Sequence, residues 1–158
     1  MEVKEIRDFN APEYAFLSNR YPNNSQDNMK IYIELEGIIF TSVEAAYQAA
    51  KTRNPDERRK ICAMTAEEAK AYGHSNQIRF RSDWHDIRIN VMRNLVWQKF
   101  YGNKELREKL LATEDAILIK ENNEGDTFWG VCNGVGENHI GKILMDVRQK
   151  LRDCSWLK

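Results

Sequence analysis

The sequence predicts an α+β fold, mainly helical, in which a single domain forms around a small β-sheet. Its 158 residues fit one domain of ordinary size and leave little room for a second. Several long stretches carry apolar residues at helical spacing, whereas the stretches rich in β-branched and aromatic residues are short. Helices should therefore outnumber strands, and we expect one unit over residues 1–158.

Four short segments have the composition of strands. Residues 31–35 and 37–40 predict two short strands or one bent strand, because β-branched and aromatic side chains dominate both. They follow the polar run 22–28, which predicts a surface loop. Later in the chain, residues 116–120 and roughly 127–132 predict two further strands.

Local signals mark where the first helix begins and ends. Thr41 and Glu44 have the spacing of a capping box, in which each side chain accepts a hydrogen bond from the other residue's backbone N–H. The helix should stop near Asn54 and Pro55, because proline disfavours helical geometry in the residue before it. Pro55 can itself occupy the first position of a second helix.

The later helices are predicted from capping signals and apolar periodicity. Thr65 with Glu68 forms a second capping box, and Gly73 is placed to end that short helix in a left-handed C-cap. Three longer helices are predicted over residues 83–101, 104–112 and from 138 onward.

Charge and hydropathy exclude several classes of function. The 24 basic and 24 acidic residues give a formal net charge of +0, which argues against a general coat for nucleic acid but leaves a local basic groove open. The first residues contain no apolar signal segment, and the apolar runs are too short to span a bilayer. We therefore expect a soluble, cytoplasmic protein with no membrane contact.

Cysteine and histidine are arranged for neither a disulfide framework nor a metal site. Cys62, Cys132 and Cys154 are odd in number, widely separated and without a CxxC pair. The three histidines lack metal-site spacing, and neither HExxH nor a phosphate-binding P-loop motif occurs. We predict a reducing compartment, no metal and no cofactor.

One face of the first predicted helix carries the most informative pattern. Glu44, Gln48 and Lys51 lie at positions i, i+4 and i+7, while alanines occupy positions 45, 46, 49 and 50. Such a face suits a pocket floor where an acid, an amide and a nucleophilic amine converge. The alternatives are that Lys51 is a solvated residue favoured by the helix dipole and that Glu44 is only a cap.

A second candidate region precedes the last helix. Asp126 stands in a turn before Trp129 and Gly130, where a tryptophan beside a glycine can offer a flat face to a base. A core tryptophan is the alternative. The glycines at 134 and 136, together with Asn138, could expose backbone N–H groups to a phosphate, or could serve steric needs alone.

The long predicted helix adds an arginine of ambiguous role. Trp84, Arg88 and Met92 recur at fourfold spacing on one face. Arg88 could reach a partner carboxylate within the core or bind a phosphate of a ligand. Arg148 on the last helix has the same two possible roles.

The ordered combination of these motifs resembles the NADAR family of YbiA-like N-glycosidases over residues 9–151. The matching positions are Phe16, Leu17, Ser18, Asn19, Tyr21, Pro22, Glu44, Gln48, Lys51, Ala69, Lys70, Gly73, Trp84, Arg88, Met92, Lys99, Phe100, Leu110, Leu111, Ala112, Thr113, Asp126, Trp129, Gly130, Gly136, Asn138, Gly141, Leu144, Met145 and Arg148. Arg20, Ala45 and Cys132 depart from the family pattern, in place of phenylalanine, histidine and glycine, and could retune the substrate pocket.

The resemblance implies a YbiA-like fold and hydrolysis of the bond between a base nitrogen and C1 of a phosphorylated ribose, without a metal. Family substrates include ribosylamino-pyrimidine phosphates of riboflavin synthesis and ADP-ribose attached to guanine in a nucleotide, DNA or RNA. By motif match, Lys51 is the lysine that forms a Schiff base with the sugar. Our own hypothesis is that Glu44 or Asp126 carries the protons. The residues expected to bind substrate are Ser18, Asn19, Tyr21, Gln48, Trp84, Arg88, Trp129, Gly130 and Asn138.

Two other interpretations stay open. A glycosidase could use Glu44 and Asp126 without a covalent role for Lys51. A non-catalytic module could instead bind ADP-ribose or a related nucleotide, although the retention of Lys51 with both acids favours an enzyme. The choice between a metabolite and a modified nucleic acid as substrate, and the oligomeric state, are left undecided by the sequence.

Overall fold

Helices hold far more residues than strands in residues 2–154, the part of the chain that the computed structural model describes. Met1 and residues 155–158, the two ends of the domain predicted over 1–158, lie outside it. The helices are a 3-10 helix Pro12–Leu17, α1 Val43–Ala50, α2 Pro55–Cys62, α3 Ala66–Gly73, α4 Trp84–Tyr101, α5 Lys104–Leu111 and α6 His139–Asp153. The strands are β1 Glu5–Ile6, β2 Ile33–Leu35, β3 Ile38–Phe40 and β4 Ile117–Leu118. The mainly helical α+β class is confirmed.

The strands form two separate two-stranded ladders. β2 and β3 pair antiparallel through a tight turn, in which Glu36 and Gly37 adopt positive φ angles of 47° and 88°. This segment is therefore two strands rather than one bent strand. β1 pairs parallel with β4, with Glu5 opposite Ile117. No strand was expected at β1, because two residues are too few to show an alternating pattern.

The first helix begins one residue later than the predicted capping box requires. The hydroxyl of Ser42 accepts a hydrogen bond from the N–H of Ala45 at 3.0 Å, so Ser42 is the N-cap. The capping box of Thr41 with Glu44 is wrong, because Thr41 lies outside the helix and the Glu44 N–H instead donates to the carbonyl of Asn19. α1 ends at Ala50, with Lys51 as C-cap.

The signals at α2 and α3 have mixed outcomes. Asn54 caps α2 and Pro55 opens it, as expected. The capping box of Thr65 and Glu68 is also confirmed. The left-handed C-cap at Gly73 is wrong, because Gly73 is the last residue of α3 and the helix is followed by His74 at φ −97°. The glycine serves a packing need at the candidate site, described below.

The segment predicted as a strand over residues 127–132 is a loop with isolated bridges. Val131 is bridged to Glu121, and Cys132 to Val135. The carbonyl groups of residues 127–130 do not face a strand partner, because they accept hydrogen bonds from the N–H groups of residues 137–140. The loop is thereby tied to the start of α6.

α1 is the buried centre of the fold. It packs against α2, α3 and α4, and all its residues except Glu44 are buried. The four alanines keep the helix thin enough for three neighbours to approach it closely. None of the described helices combines the length and the apolar character needed to cross a bilayer.

Candidate active site

A cavity of about 520 Å³, called here the main cavity, lies along one face of α1. α1 and α4 supply two sides, and further lining residues come from α3 and from the loops that follow the 3-10 helix and β4. Nine of the twelve residues predicted for the site line it: Ser18, Asn19, Glu44, Gln48, Lys51, Trp84, Arg88, Asp126 and Trp129.

Lys51 is buried in the wall of the main cavity. The residue is 5% exposed, and Nζ lies 5.4 Å from the ring centroid of Tyr47 and 5.1 Å from that of Phe80. Among residues 2–154, no side chain or carbonyl group hydrogen bonds to Nζ. Burial lowers the pKa of Lys51 to about 8, although the nearby charge of Glu44 opposes the shift. The interpretation of Lys51 as a solvated helix residue is wrong.

Glu44 and Gln48 form a hydrogen-bonded pair one turn apart on α1. Gln48 Nε2 donates to Glu44 Oε1 at 3.0 Å. Gln48 is 1% exposed, and its Oε1 is buried without a hydrogen-bond donor among the described residues. A Cβ atom at Gly73 would lie 1.8 Å from that Oε1. A glycine on α3 is therefore what lets Gln48 turn toward Glu44.

Replacing Gly73 with alanine should displace Gln48 and reduce activity while the fold persists. The new methyl group must push the Gln48 amide away from Glu44, whereas alanine in a helix is favoured over glycine by about 1 kcal/mol. We expect an unchanged or slightly higher melting temperature and a lower kcat/KM.

A double-mutant cycle with Gln48→Ala is the control for this prediction. If Gly73→Ala acts through Gln48, the double variant should have the activity of Gln48→Ala alone. Fully additive losses would show that Gly73 acts by another route.

Asp126 combines a structural role with a place in the main cavity. Its Oδ1 accepts the N–H groups of Phe128 at 3.1 Å and Trp129 at 2.9 Å. Asn122 braces the same turn, because its side chain bonds to both the N–H and the carbonyl of Asp126. Oδ2 has no hydrogen-bond partner among residues 2–154, so one carboxylate oxygen remains for a ligand.

Trp129 belongs to a cluster of rings beside the main cavity. Its ring meets Tyr47 edge-on, with centroids 5.5 Å apart, and meets Phe128 at 4.8 Å. Tyr47 also contacts Trp84 at 5.2 Å. Trp129 is half-buried, so it is packed on one side and lines the cavity on the other.

Arg88 lies flat against an aromatic ring of this cluster. Its guanidinium carbon is 3.7 Å from the Phe128 ring centroid. Its buried Nε has no hydrogen-bond partner in the described chain, and no carboxylate of residues 2–154 pairs with it. The hypothesis that Arg88 reaches a partner carboxylate is therefore wrong. Arg148 donates instead to the hydroxyl of Thr113, away from the main cavity.

Three residues predicted to bind substrate do not line the main cavity. Tyr21 is fully buried, and its hydroxyl donates to Asp27. Gly130 is needed because a Cβ there would lie 2.3 Å from the carbonyl oxygen of Lys120. The side chain of Asn138 bonds to the N–H of Lys120 and the carbonyl of Leu118. All three stabilise the segments around the main cavity without lining it.

The backbone N–H of Asn138 is not available to the phosphate considered before α6. The N–H groups of residues 137–140 donate to the carbonyl oxygens of residues 127–130, so they are not free for an anion, although helix N-termini commonly bind one. Gly134, Gly136 and Asn138 do not line the main cavity.

Lys99 is a buried lysine to which sequence reasoning assigned no role. It is 2% exposed, and Nζ donates to the carbonyls of Phe16 at 2.6 Å and Ser18 at 2.8 Å. Burial lowers the pKa of Lys99 to about 7. The adjacent carbonyl of Asn19 accepts the N–H of Glu44. Lys99 thus fixes the segment that presents Ser18 and Asn19. The sequence did contain a signal for this buried role, because Lys99 stands within an apolar stretch of α4.

The cations of the main cavity divide into paired and unpaired groups. Lys70 pairs with Glu124 at 2.9 Å. Lys51, Arg88 and Lys120 have no carboxylate at ion-pairing distance among residues 2–154. Unpaired cations inside a cavity favour an anionic ligand. Arg20 also lines the main cavity and pairs with Glu67 at 3.7 Å. Further lining residues that the sequence did not single out as ligand contacts include Tyr47, Lys70, His74, Phe80, Met92, Lys120 and Phe128.

Comparison with protein-family models gives a match to the NADAR domain over residues 7–152. This chain belongs to the NADAR family. The resemblance noted from the motifs is therefore confirmed, and the match spans every residue placed in the main cavity.

Several relatives of this NADAR protein carry functional names. An N-glycosidase of Nostoc punctiforme is 37% identical over 126 residues, covering 77% of this chain and 80% of that protein. N-glycosidase YbiA of Escherichia coli is 32% identical over 121 residues, 75% of each chain. A riboflavin biosynthesis protein of Vibrio vulnificus is 38% identical over 142 residues, 89% of this chain but 36% of that protein.

A solved structure confirms the expected YbiA-like fold. The NMR structure of Escherichia coli YbiA superposes on the NADAR chain with a TM-score of 0.80 at 27% identity. The superposition covers 97% of this chain and 88% of that one. The fold that surrounds the main cavity is thus shared.

Proposed function

We propose that this NADAR protein is an N-glycosidase that hydrolyses the bond between a base nitrogen and C1 of a phosphorylated ribose. One observation carries the proposal: the buried amine of Lys51 has no hydrogen-bond partner in the described chain and faces a cavity that also holds Glu44 and Asp126. The names of the Nostoc and Escherichia coli relatives support the same class of reaction.

Burial prepares Lys51 to act as a nucleophile. A protonated lysine is not nucleophilic, and desolvation shifts the equilibrium toward the neutral amine. With a pKa of about 8, a useful fraction of Lys51 is neutral near pH 7. The rings of Tyr47 and Phe80 fill the space around Nζ, so the amine approaches a ligand through the main cavity.

The proposed reaction passes through a Schiff base. The neutral amine of Lys51 attacks C1, the bond from C1 to the base nitrogen breaks, and the base leaves with a proton from a carboxylic acid. A second proton moves from Nζ to the ring oxygen as the ring opens, leaving an iminium between C1 and Nζ. Water then adds to C1 and gives one proton back to the carboxylate. The bond from C1 to Nζ breaks as the new hydroxyl proton moves to Nζ, which releases the sugar phosphate and regenerates the neutral lysine and the carboxylic acid. One water molecule is consumed.

Glu44 is the better placed proton carrier. It lies on the same face of α1 as Lys51 and lines the same cavity, and its Oε1 is oriented by Gln48. Asp126 has one oxygen committed to its own turn and therefore offers only Oδ2. In this proposal Glu44 protonates the leaving base and Asp126 orients the substrate or the water.

The unpaired cations supply a place for the phosphate. Arg88 is held flat by Phe128 with its Nε unsatisfied, and guanidinium groups bind phosphate oxygens in pairs. Ser18 and Asn19 contribute short polar side chains suited to ribose hydroxyls. Trp129 can stack on the base. Two substrate classes fit this description: ribosylamino-pyrimidine phosphates and ADP-ribose attached to guanine.

A turnover panel read by mass spectrometry tests the proposed function. Purified protein is incubated with a ribosylamino-pyrimidine phosphate, ADP-ribosylated guanosine, and the same modified base in DNA and RNA oligonucleotides. We expect release of a free base and a sugar phosphate or ADP-ribose from at least one of them. Binding of ADP-ribose measured by calorimetry, with no hydrolysis of any substrate, would support a non-catalytic binding module instead.

A further inference from the structure

A second cavity of about 340 Å³ lies next to the main cavity. Phe80 lines both cavities, so the two meet at this ring. The volume falls in the range of small-molecule sites and suits one nucleotide-sized group.

The segment that carries Phe80 is anchored on both sides. The N–H of Arg81 donates to the carbonyl of Lys51 at 2.7 Å, and Ile78 is buried in the core. Phe80 itself is 48% exposed. A large ring held in a fixed position at the surface between two cavities is available for stacking.

Arginines outnumber carboxylates around the second cavity, so its net charge is positive. Arg53, Arg79 and Arg81 line it, against the single carboxylate of Glu57, which accepts a hydrogen bond from the Tyr72 hydroxyl. Arg53 and Arg81 share Asp83, at 3.2 Å and 2.6 Å.

Arg79 is exposed and has no hydrogen bond or ion pair among residues 2–154. An arginine free of any carboxylate beside a fixed aromatic ring is a ready partner for a phosphate group.

We propose that the second cavity is a subsite for a second, phosphate-linked nucleoside of the substrate. A base would stack on Phe80 while Arg79 and Arg53 bind the phosphate that joins this nucleoside to the rest of the substrate. That phosphate belongs either to a diphosphate on the ribose in the main cavity or to the backbone of a strand that carries the modified base. The inference rests on the proposed function for the identity of the group at Lys51.

The kinetic test compares two substrates in the variant Arg79→Glu. One substrate ends at the ribose monophosphate, and the other carries the second phosphate-linked nucleoside. We expect KM for the longer substrate to rise about tenfold, as the loss of one charge-assisted contact predicts, while kcat/KM for the shorter one is unchanged. Arg59→Glu is the matched control, because Arg59 is an exposed arginine on α2 paired with Asp56 and lining neither cavity.

A binding measurement separates this proposal from the proposed function. Calorimetry with ADP as the probe needs no turnover, and we expect Arg79→Glu to weaken ADP binding about tenfold relative to wild type and to Arg59→Glu. If no substrate is hydrolysed but ADP binding shows this loss, the N-glycosidase proposal fails and the subsite stands. If Arg79→Glu and Arg59→Glu behave alike with both ADP and the longer substrate, the subsite is overturned.

Two longer substrates show which linkage brings a nucleoside into the second cavity. One is ADP-ribosylated guanosine, and the other is a single-stranded tetranucleotide whose modified guanine carries only a phosphorylated ribose. Sensitivity to Arg79→Glu on either one supports the subsite and identifies which linkage enters it. Sensitivity on neither contradicts it.

Discussion

Lys51→Met should lower kcat/KM for N-riboside hydrolysis by at least about 10³-fold, the scale expected when a covalent nucleophile is removed. Methionine is unbranched like lysine and only one heavy atom shorter, so it fills most of the same buried space beside Tyr47 and Phe80. Because a buried amine without a hydrogen-bond partner carries a desolvation cost, the melting temperature should stay the same or rise. Activity and stability should therefore move in opposite directions, as at many functional sites.

Trapping provides the direct measurement for Lys51. Sodium borohydride added during turnover should reduce the iminium and leave one sugar-sized mass on the peptide that contains Lys51. The adduct should be absent in Lys51→Met and retained in Lys104→Met, an exposed lysine of α5. Full turnover by Lys51→Met without any adduct would remove the Schiff base from the mechanism.

The pH dependence of the reaction rate should also be set by Lys51. The pKa of Lys51 is lowered to about 8, so its neutral fraction grows as the pH rises through 8. The rate of adduct formation in a single turnover should therefore increase on this limb and level off above it. A rate that is flat between pH 7 and pH 9 would contradict a role for the free amine.

Glu44→Gln is expected to cause the second large loss, about 10² to 10⁴-fold in kcat, the usual range for general acid–base catalysis. The glutamine keeps the size of the side chain and an oxygen that can accept the hydrogen bond from Gln48, but it cannot exchange a proton at neutral pH. The rate of base release in a single turnover measures this step.

Asp126→Asn is the comparison that distinguishes the two carboxylates. The asparagine keeps an oxygen that accepts hydrogen bonds from the N–H groups of Phe128 and Trp129, so the loop should keep its structure. We expect kcat to fall only about tenfold, the effect of one weakened positioning contact. Asp126→Ala removes that acceptor and should lower the melting temperature as well. Equal losses from Glu44→Gln and Asp126→Asn, with activity retained in Lys51→Met, would favour a route with two carboxylates and no covalent lysine.

The face formed by Glu44, Gln48 and Lys51 was predictable because it depends on local geometry. Residues at i, i+4 and i+7 share one side of any α-helix, and the cavity indeed contains all three. The exact cap was not predictable, since Thr41 and Ser42 are adjacent and both are good N-caps. Only the packed structure shows that Ser42 takes this position.

Contacts between distant segments account for the predictions that failed. The pattern at residues 127–132 resembles a strand, but its carbonyl groups turn toward α6, a partner that no local rule identifies. Motif matching likewise could not separate residues that line the cavity from those that support it. Tyr21, Gly130 and Asn138 belong to the second group, because each is engaged with the protein itself.

The bonds that tie residues 127–130 to the first turn of α6 bear on the order in which the chain assembles. Ser18 and Asn19 precede α1 in the chain, whereas Asp126 and Trp129 follow it and depend on the first turn of α6 for their position. A ribosome-bound chain in which α6 has not yet emerged would therefore contain Lys51 but lack the ordered loop that forms one side of the main cavity. The main cavity is complete only when α6 docks.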